Sequence, residues 1–322
     1  MQNVKVTGKG MKKEAVPART FFLLARKSPT AVIFRRGPSD WVQLVKWNTQ
    51  TDEFEPGQWF RGRIYERRCD LSPNGELLVY FCSKYSRRRL EEAKQLHSDQ
   101  ADGRVGKQRL LKRKFCTEYT YAWTAVSRPP YLTALALWPK GDCWHGGGLF
   151  ESNRRLLLNH RPIAAVPHRD HLPTHLRVEP NPAACGEDDP LFSQRLARNG
   201  WKVKQEWLVK QHRPHRFFET AQPEILEKLS PNKEHAIRLT RSFDRLDCSE
   251  EFEVSAHGKN WKTKLDAVSW AEWDHQGRLV FARDGKIIAA SIAKDGLQET
   301  VLIDLTKSKP TPMPAPEWAS KW

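Results

Sequence analysis

Residues 61–85 read RGRIYERRCDLSPNGELLVYFCSKY and contain an extended run, a tight turn and a second extended run. Pro73 fixes its own φ, and Asn74 and Gly75 tolerate the positive φ that a tight hairpin needs. The apolar run at 77–81 then has the character of a buried strand. This stretch therefore predicts an antiparallel hairpin.

The same pattern returns twice further along the chain. Residues 229–232 (LSPN) match residues 71–74, and an apolar run follows at 236–239. Residues 273–277 (WDHQG) make the turn of a third copy, with RLVFA at 278–282 as its strand. Earlier runs at 21–25, 30–34 and 41–47 also suit strands joined by short turns. A repeat of about 40 to 45 residues is the size of a propeller blade.

The segments DLSPNGELLVYF, KLSPNKEHAIRL and WDHQGRLVFARDGKI resemble blade segments of TolB-like and WD-repeat β-propellers. The resemblance implies an all-β, propeller-like fold with five or six four-stranded antiparallel blades and irregular insertions, as in a bacterial propeller-like protein. The regular Gly-His and Trp-Asp pairing of WD repeats is not present. The resemblance implies no activity, because propellers include both enzymes and scaffolds.

Composition shifts divide the chain. We predict a flexible basic arm at 1–18, a propeller-like domain at 19–306 and a proline-rich tail at 307–322, which either packs on the body or is a free ligand segment. Two segments interrupt the domain, a basic insertion at 86–118 and a proline- and histidine-rich loop excursion at 160–190. Residues 195–201 are interpreted as a turn that enters a strand at 202–210.

The 322 residues include 13 Trp and 14 Phe but only 3 Met, a balance that favours strands. Six cysteines are scattered without a CxxC pair, and Cys69 and Cys82 are interpreted as small core residues. Neither a signal peptide nor a bilayer-length apolar run is evident, so we expect a cytoplasmic protein without membrane attachment. The net charge of +16 suggests an anionic partner.

Two sets of basic residues are candidates for binding that partner. The first set lies near one rim of the expected ring, where the residues either contact a protein or cover indole faces: Arg35, Arg36, Arg61, Arg63, Arg67, Arg68 and Arg128. The second set lies in the insertion and is either a solvated surface or an anion-binding site: Arg87, Arg88, Arg89, Lys107, Arg109, Lys112, Arg113 and Lys114.

Histidines cluster in the 160–190 excursion. His168, His171 and His175, with Asp170 and Cys185 nearby, carry ligand types that zinc accepts, but no helix holds them on one face. We interpret them as surface residues and expect no metal and no cofactor. Three glycines at 146–148 allow close backbone approach, either to Trp138 and Trp144 or to a ligand.

These patterns leave three classes of function open. The favoured prediction is a non-enzymatic, monomeric scaffold that binds a protein partner, for which an acidic surface would suit its basic rim rich in Trp and Arg. The first alternative is nucleic-acid binding by the basic insertion at 86–114. The second is a hydrolase with a loop-borne site at Asp142, Asp170, His145 and His171, although no GxSxG or HExxH motif supports it.

Overall fold

The computed structural model describes residues 17–37, 39–88, 120–184, 186–212, 217–245, 247–257, 261–293 and 296–322. Strands dominate these residues and form five successive sheets, which confirms the all-β prediction. Residues 1–16 of the predicted arm and residues 89–118 of the predicted insertion lie outside the described residues.

Sheets 1 and 5, at the two ends of the described chain, are four-stranded antiparallel meanders in which each strand pairs with the next. Sheet 1 contains β1 (Arg19–Leu24), β2 (Thr30–Arg36), β3 (Trp41–Asn48) and β4 (Glu53–Arg61). Sheet 5 contains β20 (Val268–Trp273), β21 (Leu279–Arg283), β22 (Lys286–Ala293) and β23 (Gly296–Asp304).

Sheet 2 keeps the meander order, but its first strand is divided in two by a 3-10 turn at Glu66–Arg68. Both parts pair with the strand that follows the predicted turn, so the hairpin of the opening stretch is present. The sheet contains β5 (Arg63–Ile64), β6 (Asp70–Leu71), β7 (Leu78–Ser83), β8 (Ala122–Ser127) and β9 (Ala136–Lys140).

Sheets 3 and 4 depart from four antiparallel strands. Sheet 3 has three, of which the last two are parallel: β10 (Gly148–Ser152), β11 (Arg155–Leu158) and β12 (Arg177–Pro180). Sheet 4 has a four-stranded meander, β16 (Glu224–Leu229), β17 (His235–Arg245), β18 (Asp247–Ala256) and β19 (Lys262–Leu265). Three further strands extend it: β13 (Lys202–Gln205), β14 (Leu208–His212) and β15 (Phe217–Gln222).

In each of the three repeated turns, a Ser or Asp side chain accepts a hydrogen bond from a backbone amide farther along the turn, and the two Ser turns share one full pattern. The Ser72 Oγ accepts from the Leu77 amide (2.9 Å) and donates to Asn74 Oδ1 (2.7 Å). In sheet 4, Ser230 accepts from the His235 amide (3.0 Å) and donates to Asn232 Oδ1 (2.7 Å). In sheet 5, the Asp274 carboxylate accepts from the amides of residues 276 and 278. The internal repeat read from the sequence is thus also a repeat of turn structure.

One helix, α1 (Leu191–Arg198), lies between sheets 3 and 4 in the sequence. The prediction of a turn at 195–201 was wrong for its first four residues. The buried positions Leu191, Phe192 and Leu196 recur at helical spacing and give the segment one apolar face. Only the end of the predicted turn, at Asn199 and Gly200, leaves the helix.

Helix α1 contacts all five sheets. Its Arg195 guanidinium lies 5.6 Å from the Phe21 ring of sheet 1. Arg198 donates to the Asp70 carboxylate of sheet 2 and to the Phe150 carbonyl of sheet 3. Phe192 contacts sheets 4 and 5, with Arg241 at 5.2 Å and Trp270 at 5.8 Å.

Sheets 1 and 5 also contact one another. The Thr20 hydroxyl donates to the Lys286 carbonyl (3.2 Å), and the Ser269 hydroxyl donates to the Thr20 carbonyl (2.6 Å). The rings of Phe21 and Trp270 are 5.1 Å apart. Most of the apolar core is one cluster that includes residues of sheets 1, 2, 4 and 5 and of α1, and Cys69 and Cys82 are buried in it as expected.

The tail at 307–322 packs against the body. Gln58 Nε2 donates to the Met313 carbonyl (2.9 Å), Trp318 meets Tyr131 edge-to-face, and Trp322 Nε1 donates to the Leu172 carbonyl (3.0 Å). Of the two possibilities that the sequence left open, the structure has the packed one. Among the described residues, no helix has the length and apolar character needed to cross a bilayer.

Candidate functional site

Three of the seven rim arginines line one open cleft of about 1000 Å³ between sheets 1 and 2. Arg36 ends β2, Arg61 ends β4 and Arg63 begins β5. Antiparallel pairing brings these strand ends to the same side of the two sheets. Arg19, which begins β1, and Lys84, which follows β7, line the same cleft. We call these five residues and the space between them the basic cleft.

The basic cleft is closed on one side by a tight connection between β4 and β5. Gly62 donates its amide hydrogen to the Asp40 carbonyl (2.7 Å) and has φ +152°, which favours glycine. A Cβ at this position would lie 2.5 Å from the Ser83 carbonyl oxygen. Gly62 therefore allows Arg61 and Arg63 to flank one narrow corner.

Positive charge in the basic cleft is only partly neutralised. Burial lowers the pKa of Arg36, and the neighbouring guanidiniums of Arg19, Arg63 and Arg67 lower it further, against the opposing effect of Glu66. Glu66 lies 3.6 Å from Arg36. Arg61 pairs with Asp40 at 3.2 Å, but both side chains are more than 60 % exposed, so this pair contributes little stability.

Arg67 and Arg68, also predicted at the rim, belong to a different arrangement. Arg67 Nη2 donates to Glu250 (2.6 Å), and Arg68 Nε donates to Asp188 (2.8 Å). Arg68 is buried and also donates to the carbonyl of Cys143 (2.8 Å). The 3-10 turn between β5 and β6 points both side chains toward the start of α1, so the rim assignment was wrong for Arg68.

These pairs are part of a buried network around α1. Arg241 is almost fully buried and donates to Glu224 (2.8 Å) and Asp189 (2.5 Å). Burial raises the pKa of Glu224 and of Glu250, although arginines beside them act in the opposite direction. We call the following residues the helix network: Arg67, Arg68, Asp70, Asp188, Asp189, Arg198, Glu224, Arg241 and Glu250.

Arg35 and Arg128 are also apart from the basic cleft. Arg35 is buried, its guanidinium is 5.4 Å from the Trp59 ring, and its Nε donates to the Leu305 carbonyl (3.2 Å). That contact covers an indole face, which was the alternative to partner binding, and it contradicts a rim position for Arg35. Arg128 donates to the Lys321 carbonyl of the tail (3.3 Å).

The insertion leaves the body beside the basic cleft. Lys84, Tyr85 and Ser86 line the cleft, and exposed Arg87 and Arg88 follow them. The chain returns at Tyr121, whose carbonyl accepts from the Lys84 amide (2.7 Å). The remaining anion-binding candidates lie outside the described residues: Arg89, Lys107, Arg109, Lys112, Arg113 and Lys114.

The histidines of the excursion do not form a ligand set in the described part of the chain. His168 and His171 have ring centres 5.6 Å apart, and His175 instead stacks on Trp322 at 5.5 Å. No group of three potential metal-binding side chains occurs among the described residues, which omit Cys185.

The candidate hydrolase residues lie in two separate groups. Asp142 lies 3.5 Å from Lys140. His145 is buried nearby, and burial lowers its pKa. Asp170 lies 3.8 Å from His168, on the excursion. His171 lies on the same turn, because its backbone N–H donates a hydrogen bond to the His168 carbonyl (3.0 Å).

The glycine loop serves close packing. A Cβ on Gly146 would overlap the Phe81 ring, and one on Gly147 would overlap the Arg68 carbonyl. Trp138 is buried, but Trp144 is 56 % exposed, so the two indoles that the sequence placed beside this loop differ in burial.

Sequence reasoning missed Arg19 and Lys84 as members of the cleft. Their signal lies in strand register: Arg19 pairs with Arg36, and Arg63 pairs with Ser83 beside Lys84. Comparisons with known proteins add no further residues. No protein-family model matches this chain, and a search of curated proteins finds no relative.

Proposed function

We propose that the five sheets are the blades of a closed, propeller-like ring with α1 at its centre. Contact between sheets 1 and 5 supports closure, and contact of α1 with every sheet supports a central helix. In such a ring α1 and the helix network fill the space where other propellers have a channel. The exposed surface, and not a channel, would then carry the function.

On this ring, the protein acts as a non-enzymatic scaffold that binds an acidic protein partner at the basic cleft. One observation carries this proposal: among the described residues, five cationic side chains line the cleft and Asp40 is the one carboxylate in its lining. Clustered cations of this kind attract and orient an anionic partner. The cleft is open, so it suits a surface or a chain segment better than an enclosed small molecule.

Nucleic-acid binding is the second candidate. The observation that favours it is the position of the insertion, which leaves and returns beside Lys84 and adds Arg87 and Arg88 to the same side. Phosphates would then contact the basic cleft and the insertion together. Such binding weakens steeply as salt rises, because bound cations are released from the nucleic acid.

The test compares two probes of similar charge, a ten-residue glutamate peptide and a ten-nucleotide single-stranded DNA. Binding is measured at about 50 mM salt with the wild type and with the triple variant Arg19→Gln/Arg61→Gln/Arg63→Gln. The control, Arg154→Gln/Arg169→Gln/Arg177→Gln, removes the same charge from exposed arginines of sheet 3 and its loop. We expect the cleft variant to weaken peptide binding about tenfold and the control variant to leave it unchanged.

Equal losses in the two triple variants would contradict the scaffold proposal, because binding would then follow net charge alone. Tighter binding of the DNA, abolished when residues 86–114 are deleted, would favour the nucleic-acid candidate instead.

A further inference from the structure

Within the part of the chain that the structure describes, three cations of the basic cleft have no counterion of their own. Among the described residues, no carboxylate lies within 4 Å of Arg19, Arg63 or Lys84. Arg36 shares the cleft with them, and Glu66 is its partner at 3.6 Å. An array of this kind repels itself, so a bound anion would relieve a repulsion that the fold leaves in place.

Two arginines of the basic cleft, Arg63 and Arg36, have restricted side chains before any ligand binds. The Arg63 guanidinium lies 4.5 Å from the centre of the Tyr65 ring, which supports its flat face. The Arg36 side chain is only 24 % exposed, which limits the freedom that it would lose on binding.

A recess of about 210 Å³ adjoins the basic cleft, and Arg19 and Arg36 line both spaces. The recess also has Arg67 in its wall, with Glu66 and Glu250 as its acidic residues. Its size suits one side chain, whereas the cleft beside it has room for a stretch of polypeptide. The junction of the two spaces is therefore the place where a partner's side chain meets the most guanidinium groups.

We propose that this junction binds a phosphorylated serine or threonine on a segment of the partner protein. The inference rests on the proposed function, because it names what the acidic partner presents to the basic cleft. A carboxylate has two oxygens and one charge and satisfies one guanidinium. A phosphate monoester has three free oxygens and nearly two charges, so it can accept from Arg19, Arg36 and Arg63 together.

The lining favours a peptide over other carriers of phosphate. Tyr85 is the single aromatic side chain among the described residues that line the basic cleft, and successive bases of a nucleic acid would need several such rings to stack on. Apart from Pro17, the remaining described lining consists of charged residues, serines and glycines. A membrane surface would need apolar side chains to enter the lipid, so phosphorylated lipid headgroups fit less well.

The test uses three degenerate nine-residue peptide libraries that differ only at their central residue, which is serine, phosphoserine or glutamate. Affinity for the full-length protein is measured by fluorescence anisotropy at about 150 mM salt. We expect the phosphoserine library to bind at least about tenfold tighter than the serine library, with the glutamate library much closer to serine.

Variants then locate the preference. Arg36→Gln and Arg63→Gln should each reduce the advantage of phosphoserine over serine to about twofold or less, and Arg154→Gln should leave it unchanged. Because Arg36 is half-buried, the thermal unfolding of the Arg36→Gln protein is recorded alongside its binding. Arg63 is exposed, so Arg63→Gln serves as the variant that keeps the fold. A phosphoserine advantage that survives both substitutions would overturn the inference.

The outcome also separates this inference from the proposed function. One outcome would refute phosphate recognition and leave the scaffold proposal standing. In it, the phosphoserine and glutamate libraries bind equally well, and the triple cleft variant loses binding of the glutamate peptide. Inositol hexakisphosphate or phosphoinositide vesicles that bind at the cleft while the peptide libraries do not distinguish serine from phosphoserine would also refute it. If the triple cleft variant still binds both the glutamate and the phosphoserine peptides as the wild type does, the phosphate inference and the scaffold proposal are both refuted.

Discussion

Arginines surround both helix α1 and the basic cleft, but their counterions differ. In the helix network, Arg241 has Glu224, Asp189 and Glu250 within 3.5 Å, and Arg198 holds both oxygens of Asp70 at 2.7 Å. In the basic cleft, Arg19 and Arg63 have no carboxylate at ion-pair distance among the described residues.

The difference shows which charges the fold requires. A buried charge without any partner costs several kcal/mol, so a charge that must be buried is paired with an opposite charge or hydrogen-bonded to polar groups. An exposed charge costs the fold little, so a cluster of them is tolerated and available to a partner. Substitutions in the helix network should therefore change stability, whereas substitutions in the basic cleft should change binding.

The largest effect is expected for Arg198→Met. This change leaves the Asp70 carboxylate, which is 95 % buried, with only the Phe150 amide as a hydrogen-bond donor in the described structure. Breaking a buried pair on one side destabilises a protein by about 3 to 5 kcal/mol. Urea unfolding followed by tryptophan fluorescence gives the free energy directly.

The matched control for Arg198→Met is Arg63→Gln in the basic cleft. It also removes one guanidinium, but from an exposed position, so we expect a change of less than about 0.5 kcal/mol. A loss for Arg63→Gln as large as that for Arg198→Met would contradict the contrast between the two regions.

An intermediate effect is expected for Arg195→Met, one turn before Arg198. Arg195 is fully buried but has no carboxylate partner among the described residues. It donates to the carbonyls of Cys69 and Glu66 and lies within 6 Å of the rings of Phe21 and Phe192. Burial lowers its pKa to about 10, so the charge itself is unfavourable there. Removing the charge offsets part of the lost hydrogen bonding, which leaves a net cost of about 1 kcal/mol.

Urea unfolding of Arg195→Met and Arg198→Met side by side measures what the partner of a buried arginine contributes. If Arg195→Met proved the more destabilising of the two, pairing with Asp70 would not be what distinguishes these positions.

The sequence predicted the sheets better than it predicted helix α1. Local turn chemistry at Ser72, Ser230 and Asp274 determines the hairpins, so these could be read from a few residues. The parallel pairing of β11 with β12 depends on contacts across the excursion, which no local pattern encodes. Helix α1 was missed because it is only eight residues long and follows a proline-rich loop.

The candidate site was predicted in part for a similar reason. Arg36, Arg61 and Arg63 lie at strand ends beside turns, and a strand end beside a turn is expected to be exposed. Arg67 and Arg68 stand beside them in the sequence but lie within the 3-10 turn at Glu66–Arg68, which directs them to α1. The direction of these two side chains depends on pairing with residues that lie more than a hundred positions away in the sequence, Glu250 for Arg67 and Asp188 for Arg68.

The smallest effect concerns pH and Glu250. Burial raises the pKa of this carboxyl above its ordinary value, against the opposing charges of Arg67 and Arg241. The folded state therefore binds the proton more tightly than the unfolded state does. Its contribution to stability is fully present below the ordinary pKa of a glutamate and is lost as pH rises through the raised one.

Glu250→Gln removes this titration and keeps an oxygen to accept from Arg67. The free energy of unfolding of the wild type minus that of Glu250→Gln should therefore be larger at pH 5 than at pH 7, by less than the Arg195→Met effect. Glu251→Gln is the control, because Glu251 is 61 % exposed and pairs only with Lys264 on the surface. If this difference in the free energy of unfolding were instead smaller at pH 5, the charges of Arg67 and Arg241 would lower the pKa of Glu250 by more than burial raises it. The helix network would then stabilise its ionised carboxylates as well as its arginines.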